Sequence, residues 1–446
     1  MRPPLRLPHH RGTTAHLASL YPFSVQGSFG STGPYVGLDV LAGGAEFCWD
    51  PFDAYAAGLV TNPNCWILGE PGHGKSALVK SLLWRMAAVY GTGAKGRWIA
   101  IADPKGEYAA LTEWLGLSAI RLSPGGTTRI NPLDDPPGAV DEPIETRVLR
   151  RAELVGALVA TVLARPLTQL EDAAVFAAVE DLTARRRAAT LADLLCVVAE
   201  PDRKLSDALL RPCDALTADL GSLRFALDKL LSRSLRGMFD GPSTVSVKPD
   251  GPGIVLDLSA VPLDSEALPL VMVAAAGWLS QLLAAPGPRR VQVLDEAWAL
   301  LGNRHTAAYL QTCFKLGRTY GVANVCIAHR PSDLAAQADD GTATAKIAGG
   351  LLADAATKIL LRQAPDQLDL AARAVGLTEP EQQIVGNLTR GRALWRVGSR
   401  TAVVHHLMTA MEAGSLCDTD ARMVPGAHEF TATEGLSGGN PRVDAA

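Results

Sequence analysis

The chain has 446 residues, of which 48% are hydrophobic, 20% charged and only 5% aromatic, with a formal net charge of -4. That length admits two or three domain-sized units, and the balance of residues, rich in Ala, Leu and Val, points to a soluble α/β protein rather than an all-β one. An acidic sum argues against a surface that wraps nucleic acid over its whole extent, and seven scattered cysteines with no CxxC pair suggest neither a disulfide framework nor a zinc site.

Residues 1–60 are rich in Gly and Pro and carry short strand-like pieces, "YVGLDVL" and "EFCWD", so a small β appendage or strap is expected there. The opening "MRPPLRLPHHRGTT" has no apolar core of the kind a secretory signal needs. From residue 61 apolar strand candidates alternate with helical ones: "CWILG", a helix over 75–90, then "RWIAIAD". This is the βαβ rhythm of a parallel sheet. It is interrupted near 131–138 by the proline-rich "NPLDDPPG".

Residues 141–242 then become Leu, Ala, Arg and Asp at helical spacing with few β-branched residues, which predicts an all-helical insert closed by "FDGPST". The strand rhythm resumes over 243–411 with "GIVLDLS", "VQVLDEAW", "NVCIAHR" and "TKILLRQ", and ends in an antiparallel hairpin, "RALWRVGSRTAVVHHL", turning at Gly398. The apolar run "ALPLVMVAAAGWLSQLLAA" at 267–285 is long enough to consider as a membrane span. It carries Ser280 and Gln281 and directly precedes a charged strand start, so a core helix packed on the sheet is expected. The last segment, 412–446, is a polar, Gly-rich tail expected to be partly disordered.

Four strand ends carry candidate chemistry. Gly69, Glu70, Pro71, Gly72, His73, Gly74, Lys75 and Ser76 fit G-x-x-x-x-G-K-[ST], and Ala77 continues into the helix. Glycines let backbone N–H groups turn inward around phosphates, Lys75 adds a mobile cation, the Ser76 hydroxyl is a Mg2+ ligand, and the helix start contributes its positive dipole end. A P-loop needs a carboxylate at a neighbouring strand end, and "VQVLDEAW" supplies two. Asp295 is expected to hold the magnesium through water and Glu296 to act as general base, an arrangement that favours hydrolysis of ATP. After "WIAIA" comes Asp103-Pro-Lys-Gly-Glu107-Tyr108, whose carboxylates either reach the nucleotide or cap the next helix.

After "NVCIA" comes His329, followed by Arg330 and Asp333; His329 is either a γ-phosphate sensor or a half-buried structural histidine. An arginine finger is worth about 10³ to 10⁵ in rate, and Arg318 in "KLGRTYG" and Arg392 in "TRGRALW" are its candidates, each with an ordinary surface role as the alternative. Arg185, Arg186 and Arg187 read as a solvated helix face, and His9, His10, His405 and His406 lack the spaced partners a metal site requires, so no metal cluster is expected.

In this order, "NPNCWILGEPGHGKS", "DPKGEY", "INPLD", "LDEAWAL", "KLGRTYGVANVCIAHRPSDL" and "RGRALWRVG" resemble the type IV secretion and conjugation traffic ATPases. These are the TraC-like family that includes the fourth VirB component, within the HerA/FtsK superfamily of P-loop ATPases. The likeness runs over roughly residues 60–410. It implies a RecA-like ATPase core that binds ATP and Mg2+, assembles as a homo-oligomer such as a hexamer, and works in the cytoplasm, peripherally at the inner face of the membrane on a secretion or conjugation channel, with DNA or protein as cargo. It also makes Arg318 the leading finger candidate, since that residue lies in the family's arginine motif. Two departures stand out: Ala328-His329 replaces the common Thr-Gln sensor, and only 60 residues precede the ATPase half where the family places a large docking domain. The implied function is a motor for conjugative or type IV-like transfer. The rivals are a HerA- or FtsK-like DNA translocase working without a channel, and a nucleotide-dependent assembly switch.

Overall fold

The computed structural model describes residues 13, 29, 32–93, 96–135, 143–185, 189–245, 247–248, 251–284, 287–301, 304–329 and 343–417. Among them, eleven strands form one sheet in the order β2-β1-β11-β10-β9-β3-β8-β7-β4-β6-β5. The strands are β1 (Tyr35–Asp39), β2 (Ala45–Cys48), β3 (Cys65–Leu68), β4 (Arg97–Asp103), β5 (Ser118–Arg121), β6 (Gly253–Asp257), β7 (Arg289–Leu294), β8 (Val322–Ala328), β9 (Thr357–Leu360), β10 (Arg392–Val397) and β11 (Arg400–His406). From β9 to β5 all neighbours pair in parallel, whereas β10, β11, β1 and β2 extend the sheet antiparallel. This is a mostly parallel α/β fold with a C-terminal antiparallel hairpin, as the strand rhythm predicts.

Burial explains the strand sequences. The central strands β3, β4 and β8 are buried along their whole length and are mostly apolar, because both faces are covered, the usual state of a parallel sheet. Alternation then sorts each strand between two cores. Trp66, Leu68, Ala100, Ala102, Leu294 and Cys326 face one cluster, which also takes in the insert; Cys65, Ile67, Ile99, Ile101, Val293 and Val325 face the other, against Leu78, Leu82 and Met86 of the helix Lys75–Tyr90. The run 267–285 forms the helix Ala267–Ala284, with Val271, Met272, Val273, Ala274 and Ala275 all buried. No helix among the described residues is long and apolar enough to cross a membrane.

The N-terminal strap does not stand apart. Its strand β1 pairs with β11, so β1 and β2 lengthen the main sheet. Asp50, the N-cap of the helix Pro51–Ala56, also bonds Arg97 of β4 at 3.0 Å. Residues 1–12 and 418–446, with His9, His10 and most of the expected tail, lie outside the described residues. The described start of the tail is docked: the turn Glu412–Leu416 packs against the helix Lys75–Tyr90.

The insert is helical from Ile144–Leu163 and Gln169–Arg185 through to Gly221–Lys229. Its first helix is amphipathic, burying Val148, Leu154, Val155, Leu158 and Val159, and packs on the core helices Ala267–Ala284 and Arg304–Tyr320. The two stems of the insert are tied together where the proline-rich breaks fall. The Asn131 N–H bonds Ser243 Oγ at 2.8 Å, the Arg129 N–H bonds Thr244 Oγ1 at 2.9 Å, and the Arg129 guanidinium bonds Asp240 at 2.7 Å. Arg185 pairs with Asp181 and Asp202 inside the insert, and Arg186 and Arg187 lie outside the described residues.

Candidate active site

The parallel strands bring the predicted residues to one edge, because residues following β3, β4, β7 and β8 all leave the sheet at its carboxyl side. The P-loop follows β3. It is anchored on both flanks: the Gly69 N–H bonds the His329 carbonyl after β8 at 3.2 Å, and the Glu70 N–H bonds the Arg362 carbonyl after β9 at 3.1 Å. Gly72 and Gly74 adopt φ of +78° and +99°, where an L side chain is strained. Gly69 is needed for a different reason, since a Cβ there would stand 2.6 Å from the Cβ of Leu361.

The helix begins at Lys75 with no side-chain cap at Gly74, which leaves its first N–H groups for an anion. The Lys75 ammonium donates to the carbonyls of Gly69 at 2.5 Å and Glu70 at 2.9 Å. Burial, and then the charge of Lys105, lower its pKa to about 8. Ser76, Ala77, Pro71 and His73 complete the loop and the first turn. Burial lowers the His73 pKa; Glu70 opposes this, and the positive charges of Arg362, Lys75 and Arg390 add to it.

Asp295 and Glu296 follow β7. Asp295 is 2% exposed; its Oδ1 accepts from the Glu296 N–H at 2.9 Å, and its Oδ2 is buried with no hydrogen-bond partner. Burial and the neighbouring Glu296 carboxylate push its pKa up to about 7. An orphaned carboxylate oxygen at the same sheet edge as the P-loop fits a divalent cation such as Mg2+, which takes one or two carboxylates and completes its shell with phosphate oxygens and water. Glu107 Oε2 is likewise buried without a partner.

Glu296 adopts φ +52°, the left-handed region that costs a non-glycine residue roughly 1–3 kcal/mol. That turn aims its carboxylate inward, where the Trp298 indole N–H donates to Oε2, His329 Nε2 lies 2.8 Å from Oε1, and the Lys105 ammonium forms an ion pair with it. Burial would raise its pKa, but the hydrogen bond and charge of His329, with those of Lys105, hold it down at about 2.

Strand β8 lies between β3 and β7, so His329 stands between the P-loop and the acidic pair. Asp103 holds the turn that follows β4, and the next helix, Ala109–Leu115, starts at Tyr108 without a side-chain cap. Its Oδ1 accepts from the N–H groups of Lys105, Gly106 and Glu107 at 3.2, 2.8 and 3.1 Å, and its Oδ2 from Tyr108 at 3.0 Å, so both oxygens are spent on the turn. That turn delivers Lys105, a residue that sequence alone does not single out inside "DPKGEY".

The two arginine candidates separate. Arg318 is exposed in the last turn of the helix that precedes β8, at the end of the sheet opposite its own P-loop. Arg392 opens β10 on the P-loop side but pairs across the strands with His405. Arg362 and Arg390 are the arginines whose charge reaches His73 of the loop. Arg330 and Asp333 lie outside the described residues, His406 bonds Ser81, and no group of three His, Cys, Asp or Glu side chains among the described residues could hold a metal.

Residues 60–242 match the family model "Helicase HerA, central domain". Comparison with curated protein sequences returns no match. Among solved structures, VirB4 of Thermoanaerobacter pseudethanolicus is 22% identical with a TM-score of 0.66, over 86% of this chain and 99% of that one. The plasmid coupling protein TrwB in complex with the GTP analogue GDPNP is 16% identical with a TM-score of 0.52, over 78% and 86%. TrwB in complex with ADP and Mg2+ is 16% identical with a TM-score of 0.51, again over 78% and 86%. The chain therefore shares its fold with VirB4 and TrwB over a longer stretch than the HerA segment.

Proposed function

We propose that this protein is the ATP-hydrolysing motor of a conjugative or type IV secretion-like transfer system. The observation that carries the reading is the convergence of the P-loop, the buried Asp295 with its free oxygen and the inward-turned Glu296, on a fold shared with VirB4 over 86% of the chain. Lys75 and the N–H groups of residues 69–77 would hold the triphosphate, and Ser76 with Asp295 the Mg2+. Bound magnesium neutralises charge on the β- and γ-phosphates; Glu296 orients and deprotonates the attacking water, and His329 holds Glu296 in place.

Arg318 is assigned as a finger acting on a neighbouring subunit, since its exposed position lies far from its own P-loop. Such a finger implies a homo-oligomer, and a hexamer is the assembly proposed. The partition into a strap (1–60), a two-part ATPase core (61–140 and 243–411), a helical insert (141–242) and a tail belongs to the same reading, with the insert moving against cargo or channel at the cytoplasmic face of the membrane.

The test is a pair of variants. Lys75→Ala is expected to lose ATP binding, and Glu296→Gln to bind ATP without turnover; hydrolysis retained in both would refute the assignment. The match to the HerA central domain favours a second reading, a DNA translocase working without a channel. Strong stimulation of hydrolysis by duplex DNA, lost at high salt, would select it.

A further inference from the structure

Glu296 is held from three directions. Trp298 occupies Oε2, while Lys105 and His329 both occupy Oε1, and the side chain is 3% exposed. A carboxylate so engaged has little lone-pair density left for a water molecule. One of the three contacts is unlike the others. Trp298 and His329 are short, stiff side chains close to Glu296 in the fold, whereas Lys105 reaches it on a flexible four-carbon stem. The base of that stem is fixed by the four hydrogen bonds of Asp103, so the ammonium can swing without the loop moving.

The contact also contains a conflict. His329 Nε2 lies 3.0 Å from the Lys105 ammonium, a donor, and 2.8 Å from Glu296 Oε1, an acceptor. One ring nitrogen serves only one of them at a time. Two ammonium groups meanwhile stand at the same carboxyl edge of the sheet, Lys105 on Glu296 and Lys75 on the P-loop carbonyls of Gly69 and Glu70. Such a pair is relieved by a polyanion.

Building on the ATPase reading, we propose that Lys105 is the residue by which the site distinguishes a nucleoside triphosphate from a diphosphate. It rests on Glu296, transfers to the terminal phosphate when one is present, and thereby frees Glu296 to take a water. Lys105 is in this sense both a phosphate ligand and a restraint on the base.

The test is equilibrium binding of ATPγS and of ADP to the full chain, which needs no turnover. Lys105→Met is expected to weaken ATPγS about tenfold, the scale of one charge-assisted hydrogen bond, and ADP less than about twofold, with Lys105→Arg keeping most of the preference. Glu296→Gln removes the resting partner of Lys105. It should tighten ATPγS several-fold without tightening ADP, and this gain should vanish when Lys105→Met is also present. The Glu296→Gln arm stands alone if Lys105→Met misfolds. Equal weakening of both nucleotides by Lys105→Met, or a Glu296→Gln gain of the same size with and without Lys105, would overturn the proposal. ATPγS bound by Lys75→Ala as tightly as by the wild type would instead sink the ATPase reading on which it rests.

Discussion

Glu412→Gln tests how the helix that carries Lys75 is held in place. Glu412 accepts from Arg85 Nε at 2.7 Å, from a second Arg85 nitrogen at 2.6 Å, from Ser81 Oγ at 2.8 Å and from the Thr409 N–H at 2.7 Å. Arg85 in turn donates to the carbonyls of Tyr35, Val36 and Leu407, so one guanidinium joins the P-loop helix, the first strand, the end of the last strand and the C-terminal turn. Burial alone would raise the Glu412 pKa, but the Arg85 hydrogen bonds, then those of Thr409 and Ser81, pull it from 4.5 to about 2. A depression of that size is worth about 3 kcal/mol at neutral pH. Because Arg85 keeps 15% of its side chain in solvent, screening reduces this to about 2 kcal/mol.

The folded pKa lies below the unfolded one, so the stabilisation is complete above pH 4.5 and is lost as pH falls toward 2. Glutamine keeps the shape but turns an amide donor toward Arg85 or Thr409. Urea unfolding should place Glu412→Gln about 2 kcal/mol below the wild type at pH 7, with the gap shrinking by more than half at pH 3. A gap under about 0.5 kcal/mol at pH 7, or one of equal size at both pH values, would refute this account of the pair.

Gly69→Ala places a Cβ 2.6 Å from Leu361 Cβ and should cost about 1–3 kcal/mol of stability, with ATP binding, followed by titration, weakened at least about tenfold as the loop is displaced. Asp103→Ala strands four N–H groups and should lower stability by about 3 kcal/mol in urea. Asp103→Asn, which retains the acceptor serving three of them, should lose roughly half as much. Arg318→Ala should lower turnover by about 10³-fold or more, and mixing it with Lys75→Ala should restore part of the activity at hybrid interfaces; absence of recovery would argue against a finger acting between subunits.

How far the site could be read from the sequence depended on whether the deciding forces were local. The P-loop was legible because its glycines answer to backbone conformation, and Asp295 and Glu296 because two carboxylates at a strand end match the needs of a cation and a water beside a bound phosphate. The role of Asp103 was not, since a carboxylate that caps a turn and one that meets a ligand have the same sequence, and only the directions of four N–H groups separate them. Lys105 was invisible for a related reason: its partner lies 191 residues away on another strand. The arginines turned on register. Arg390 and Arg392 are two residues apart, and the pairing of β10 with β11 puts Arg392 inside the ladder, opposite His405. The union of β1 with β11 likewise depends on long-range pairing that strand propensity does not encode.

The position of β8 has a metric consequence. Neighbouring strands lie about 4.8 Å apart, so an intervening strand sets the tips of β3 and β7 roughly 10 Å from each other. That gap is too wide for Glu296 to touch a phosphate cradled by Lys75, and wide enough for a hydrated ion beside a single solvent molecule. Sheet order thus acts as a spacer gauge: it keeps the carboxylate off the phosphate and leaves the gap to small groups, a water molecule or the Lys105 ammonium.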